Sequence, residues 1–177
     1  MRFKTHFIAA ALAALSLAAP AAAQEVVIQN YSVEEGGQRD DIPFLTPEAV
    51  QKFFGKRTML VTYQASLADQ FENAINGRAY DMIKLKNGYS VYTACGEFSC
   101  QNKAIAVMDT KGALVAAGMI GYRCPGASGE CAATPAAYGF IRKGMENSFA
   151  RKQLTDWAKQ YLDEVPSNQR RISITAF

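Results

Sequence analysis

The chain has 177 residues, of which 19 are basic and 16 are acidic. Two of the basic residues, Arg2 and Lys4, precede an apolar stretch, and the rest of the chain carries a net charge of only +1. This balance gives no electrostatic reason to expect a nucleic acid or an anionic membrane surface as a partner.

The single histidine, His6, lies in the same N-terminal stretch. Residues 24–177 therefore contain no histidine that could serve as a base for a serine or cysteine nucleophile, or as a metal ligand. The acidic residues are scattered, so no local pair marks hydrolysis by two carboxylates. We expect a protein that is not an enzyme, with no catalytic residues, no metal and no cofactor.

Residues 1–23 have the pattern of a secretory signal peptide. A positive start is followed by an apolar stretch over residues 7–19 and by small residues at 21–23, which predict cleavage before Gln24. The apolar stretch is too short to be read as a membrane anchor. We expect residues 24–177 to form one exported domain, either periplasmic or secreted.

Four cysteines, an even number, predict disulfides in an exported chain. Cys95, Cys100, Cys124 and Cys131 allow three pairings. We favour Cys95 with Cys100 and Cys124 with Cys131, because each pair bounds a loop-like segment. A four-cysteine zinc site is the alternative, although these spacings are wider than those of most structural zinc pairs.

The elements before the first cysteine are well signalled, apart from an acidic, solvated segment over residues 24–41. Thr46 and Ser66 are typical N-cap residues, and apolar residues at helical spacing follow each of them. Gly55 and Gly77 end these two helices. Between the helices, residues 58–63 read as a short strand.

The remaining pattern indicates an antiparallel meander followed by a helix. Turn residues at 87–88 and 109–112 separate strand-like runs, and Pro166 ends the helix. The predicted fold is α+β, an antiparallel sheet of about five strands packed with helices. The predicted elements are strands over 80–85, 89–94, 104–108, 113–122 and 136–143, a helix over 154–165 and a strand over 172–177.

The stretch around the first two cysteines resembles the family of periplasmic inhibitors of vertebrate lysozyme, the Ivy family. In that family a strand runs into Ala-Cys-Lys-Pro-His-Asp-Cys, followed by a polar pair and a strand that begins basic-Ile-Ala-Val-Met. The matching run here is Ala94-Cys-Gly-Glu-Phe-Ser-Cys100, then Gln101-Asn102, then Lys103-Ala-Ile-Ala-Val-Met108. The resemblance covers residues 80–120, and the pair Cys124 and Cys131 is not part of the family pattern.

The resemblance implies a homodimer and a loop that enters the cleft of a lysozyme as a plug. At the family's Lys-Pro-His-Asp positions this chain has Gly96, Glu97, Phe98 and Ser99. Phe98 replaces the histidine that engages the catalytic carboxylates, a hydrogen bond of about 1.5–3 kcal/mol. Glu97 adds a negative charge that would face an acidic cleft.

We therefore expect an exported protein that blocks a peptidoglycan-cleaving enzyme with residues 96–99. Phe98 would fill a groove as the aromatic anchor, and Ser99 with backbone amides would supply hydrogen bonds. The target would be a lysozyme, a muramidase or a lytic transglycosylase. The alternatives are the same scaffold with a non-inhibitory binding or self-association role and, third, an enzyme that uses carboxylates.

Overall fold

The computed structural model describes residues 26–27, 45–77, 79–85, 88–96, 100–126, 130–146 and 148–177. The predicted signal peptide and most of the acidic segment lie outside these residues. The described elements are β1 (Val26–Val27), α1 (Pro47–Phe54), β2 (Thr58–Leu60), β3 (Gln64–Ser66), α2 (Leu67–Ile75), β4 (Ala79–Leu85), β5 (Ser90–Cys95), β6 (Lys103–Met108), β7 (Leu114–Gly121), β8 (Ala136–Ile141), α3 (Phe149–Tyr161) and β9 (Ile172–Ala176).

Seven of the described strands form one sheet in the order β1-β4-β5-β6-β7-β8-β9. The α+β class is confirmed, but the prediction of an antiparallel sheet of about five strands is wrong. Neighbouring strands are antiparallel from β1 to β8, whereas β9 runs parallel to β8. The physical reason is the connection, because α3 carries the chain back across the sheet before β9 begins, as a parallel pair requires.

The predicted strand over 58–63 is instead the first half of a separate hairpin. In this hairpin β2 pairs with β3, and Thr58 lies opposite Ser66. Both strands have only three residues, so the predicted run covers β2 and the turn, and β3 follows it. The hairpin leads directly into α2 because Ser66 is also the N-cap of that helix.

Helices cover both faces of the sheet. The first face carries α1 and α2, and its cluster of buried residues includes Phe54, Phe71 and Phe140. The second face carries α3, and its cluster includes Ile105 and Trp157. Because the central strands are buried on both faces, β6 and β7 are almost entirely apolar instead of alternating between apolar and polar residues.

A bulge in β7 adjusts which side chains face α3. Met108 lies opposite Leu114 and Val107 lies opposite Ala116, so Val115 is the extra residue. Val115 and Ala116 consequently both belong to the cluster on the α3 face. The bulge therefore widens the apolar surface that α3 covers.

The helix ends follow local capping chemistry. Thr46 Oγ1 accepts a hydrogen bond from the Ala49 amide at 3.2 Å, and Ser66 Oγ accepts one from the Asp69 amide at 3.0 Å, so both predicted N-caps are confirmed. The third helix differs from the predicted 154–165, since it begins at Phe149 and ends at Tyr161. None of the described helices is long and apolar enough to cross a membrane.

Candidate functional site

Both disulfide-closed loops lie at the same end of the sheet. The structure pairs Cys95 with Cys100 and Cys124 with Cys131, as the sequence predicted. The first loop joins β5 to β6 and the second joins β7 to β8, and β6 and β7 are neighbouring antiparallel strands. The two connections therefore leave the sheet from adjacent strand ends, and together they form one candidate site.

The base of the first loop is fixed on the sheet. Cys95 is the last paired residue of β5, opposite Lys103, and its side chain is fully buried. The Gly96 amide donates a hydrogen bond to the Asn102 carbonyl at 2.9 Å, which extends the ladder by one step into the loop. Gly77, just after α2, donates its amide to the Cys95 carbonyl at 3.0 Å. The buried end is thus tied to both a strand and a helix.

The opposite end of the first loop reaches solvent, since Cys100 is exposed whereas Gly96 is buried. Glu97, Phe98 and Ser99 lie outside the described residues, so their roles at a partner stay predictions. The structure does describe the residues on either side of these three, Gly96 and Cys100.

Lys103 stands at the foot of this loop. Its ammonium donates a hydrogen bond to the Cys100 carbonyl and lies 5.4 Å from the centre of the Tyr161 ring in α3. Burial lowers the pKa of Lys103, because a partly desolvated ammonium is less stable in its charged form. Within the described part of the chain, no carboxylate forms an ion pair with this ammonium.

A pocket of about 570 Å³ opens between the two loops and the end of α3. Its lining residues fall into three levels of burial. The buried floor is formed by Ile120 and Val165. The half-buried walls are Lys103, Tyr122, Thr134, Pro135 and Tyr161. The exposed rim is formed by Cys100, Gln101, Ala133, Glu164 and Pro166.

The early end of α3 places part of this lining. Leu162 leaves helical geometry with φ −100° and ψ 11°, and its amide donates to the Ala158 carbonyl. The Val165 amide then donates to the Leu162 carbonyl, so the chain turns instead of continuing as a helix. This turn directs Val165 and its neighbours Glu164 and Pro166 to the pocket.

A buried glutamine, Gln70, fixes the turn that contacts the start of the second loop. Gln70 in α2 accepts hydrogen bonds from the Val61 and Thr62 amides at 3.2 and 3.0 Å, and it donates to the Met59 carbonyl at 2.6 Å. These bonds fix the turn between β2 and β3. The Thr62 carbonyl in turn accepts the Cys124 amide at 2.7 Å, which anchors the start of the second loop.

Gly121 allows the two loops to approach each other closely. A Cβ atom at this position would lie 2.4 Å from Thr62 Cγ2 and 2.6 Å from Asn102 Oδ1. Asn102 belongs to the return of the first loop and Thr62 supports the second. Only a glycine at the end of β7 therefore leaves room for the side chains of Thr62 and Asn102 at their observed positions.

No protein-family model, curated protein or solved structure matches this chain. The likeness to lysozyme inhibitors rests on the residues quoted above. Among the described residues, no group of three or more His, Cys, Asp or Glu side chains could hold a metal ion.

The sequence missed the pocket and the part played by the second loop. The disulfide-closed loops 95–100 and 124–131 are 24 residues or more apart in the chain, and no local pattern shows that they meet. One signal could have pointed to Lys103, since the resembled family also has a basic residue at this strand start. Nothing local indicates that Tyr161 in α3 and Glu164 in the turn that follows line the same pocket as Lys103.

Proposed function

We propose that this protein is an exported inhibitor that blocks a peptidoglycan-cleaving enzyme with its first disulfide-closed loop. The observation that carries the proposal is the fixed base of that loop, in which Cys95 is buried at a strand end and Gly96 bonds to Asn102. A loop whose two ends are already fixed loses less conformational entropy on binding. The resemblance over residues 80–120 supplies the class of partner.

Phe98 is the proposed anchor of the interaction. An aromatic side chain at the centre of a short closed loop can fill a groove, and such anchors dominate the binding energy of many interfaces. Ser99 and the backbone amides contribute hydrogen bonds to the walls of that groove. Glu97 disfavours a strongly acidic cleft, so the preferred target has a less acidic groove than a typical lysozyme.

Inhibition assays with purified protein test this proposal. The panel contains a lysozyme, a muramidase and a lytic transglycosylase, each assayed with the wild type and with Phe98→Ala. We expect one of these enzymes to be inhibited, and the variant to lose at least about 2 kcal/mol, or roughly thirtyfold in Kd. The matched control is Lys111→Ala, an exposed residue in the turn between β6 and β7 at the opposite end of the sheet.

The outcomes separate the proposal from its alternative. If no enzyme in the panel is inhibited or bound, the inhibitor function is wrong. The alternative, binding or self-association without inhibition, is favoured by the exposed strand β9, which lies at one edge of the described sheet. Concentration-dependent dimer formation in analytical ultracentrifugation, together with inactivity on the whole panel, is the result that the alternative expects.

A further inference from the structure

We propose that the pocket between the two loops binds a small carboxylic acid with a ring-shaped body, of the kind found in an acidic amino sugar. This site is distinct from the proposed plug at residues 96–99. Its floor and walls come from the start of β6, the end of β7, the end of α3 with the turn that follows it, and the segment before β8, and the first loop contributes only Cys100 and Gln101 at the rim. Its volume of about 570 Å³ lies within the range of small-molecule sites in proteins. The inference therefore does not require that residues 97–99 inhibit any enzyme.

The charge in the wall defines the first requirement of the ligand. Lys103 is half-buried, and its ammonium contacts the Cys100 carbonyl and the Tyr161 ring. An ammonium has three donors, so donors remain after the bond to Cys100. Among the described residues no carboxylate pairs with this half-buried cation. A ligand anion would therefore stabilise it, because a charge-assisted hydrogen bond replaces incomplete solvation.

The aromatic wall defines the second requirement. The Tyr161 ring is held edge-on against Trp157, with 5.9 Å between the ring centres, and Tyr122 lines the same pocket. A sugar or similar ring packs its apolar face on such side chains, while the buried Ile120 and Val165 accept a small apolar group at the floor.

The rim defines the third requirement. Glu164 is exposed and lies on the turn after α3. Its carboxylate can accept hydrogen bonds from hydroxyl or amide groups of a ligand, while its own charge stays solvated. Four titratable side chains among the described residues line this pocket: Lys103, Tyr122, Tyr161 and Glu164. A ligand that places an anionic group at Lys103 and polar, uncharged groups toward Glu164 gives each of these side chains a suitable partner.

Two sugars that differ mainly by one carboxylate provide the test. N-acetylmuramic acid carries a lactyl carboxylate that N-acetylglucosamine lacks. We expect the acid to shift amide resonances of the pocket residues in the NMR spectrum of the full protein. We expect it to bind about ten- to a hundredfold more tightly than the neutral sugar, as one charge-assisted hydrogen bond would give.

Variants assign the effect to the pocket. Lys103→Met removes the ammonium and is expected to abolish the preference for the acid, whereas Lys159→Met, an exposed lysine on α3 outside the pocket, should leave it unchanged. Should Lys103→Met not fold, the pKa of Lys103 in the wild type is the second measurement. It should rise when N-acetylmuramic acid binds, since an adjacent anion favours the charged form.

The proposal is overturned if both sugars bind equally, if shifts lie outside the pocket, or if nothing binds at about 10 mM. A test with Phe98→Ala separates this inference from the inhibitor proposal. That variant should bind N-acetylmuramic acid as the wild type does, whatever its effect on enzyme inhibition.

Discussion

Tyr92 links the ionisation of a single side chain to the stability of the fold. It lies in β5 with its ring in the cluster under α1 and α2, and only 2% of the residue is exposed. Burial raises the pKa of Tyr92 to about 12. An unfolded tyrosine titrates at about 10, so the folded chain holds this proton more tightly than the unfolded chain. The resulting stabilisation is complete below pH 10 and is lost as the pH rises toward 12.

We therefore predict that the free energy of unfolding falls between pH 10 and 12, and that Tyr92→Phe removes its share of this fall. The variant keeps the aromatic ring but has no phenol to ionise. Urea unfolding of both proteins at several pH values measures the difference, which should change by about 2 kcal/mol over this interval.

The comparison with Tyr92→Phe at each pH is needed because other groups titrate in the same range. Burial lowers the pKa of Lys103, so its contribution has the opposite sign and favours folding as the pH rises. That contribution is common to both proteins and cancels in the difference. A difference that is the same at pH 9 and pH 12 would contradict the prediction.

At the scale of the elements, α3 sits in a trough formed by two glycines. Gly118 in β7 and Gly139 in β8 lie directly opposite each other. A Cβ atom on Gly118 would lie 2.7 Å from Ile105 Cγ2 and 3.0 Å from a ring carbon of Trp157. A Cβ atom on Gly139 would lie 3.1 Å from Leu154 Cδ1. The missing side chains thus allow α3 to pack closely on the sheet.

We predict that Gly118→Ala destabilises the protein by about 1–3 kcal/mol, because the added methyl group overpacks this contact. Denaturant unfolding measures the loss, and a change in Trp157 fluorescence would report displacement of α3. Gly126→Ala is the matched control, since an added Cβ there meets nothing within 4 Å. Equal stability of the two variants would show that α3 moves away without cost.

The helices and most strands were predictable because their signals are local. The N-caps Thr46 and Ser66, the apolar spacing and the turn residues all act within a few positions of the chain. The start of α3 was placed too late, although Phe149 and Ala150 continue its apolar face. The parallel pairing of β9 and the meeting of the two loops depend on packing between distant segments, which no local pattern encodes.

Of the candidate site, the sequence predicted the two disulfides and the first loop but not the pocket. Sequence spacing indicated both disulfides, and the resemblance singled out residues 96–99. The pocket required distant segments to meet, among them β6 with Lys103, the turn with Glu164, and the stretch before β8 with Pro135. Gly121 permits this approach, but the sequence does not indicate which distant residues pack against it.

At the scale of the whole molecule, Phe177 connects the edge of the sheet to the first helix. It follows β9, and its ring centre lies 5.6 Å from those of Phe53 and Phe140. Arg57, just after α1, places its guanidinium 4.1 Å from the centre of the same ring. These contacts join α1, β8 and the segment after β9, so they hold the parallel strand β9 against the layer of α1 and α2.

We predict that Phe177→Ala lowers the free energy of unfolding by about 2–3 kcal/mol, somewhat less than for a fully buried phenylalanine because the residue is half-exposed. The cost should exceed that of Ile172→Ala, which removes an exposed apolar side chain from the same strand. Urea unfolding measures both losses. Hydrogen exchange should show faster opening of β9 in Phe177→Ala, because its backbone bonds to β8 remain but its packing on α1 is gone. If the two variants lose the same stability, the backbone ladder alone holds β9, and the aromatic contacts with α1 contribute little to closing the fold.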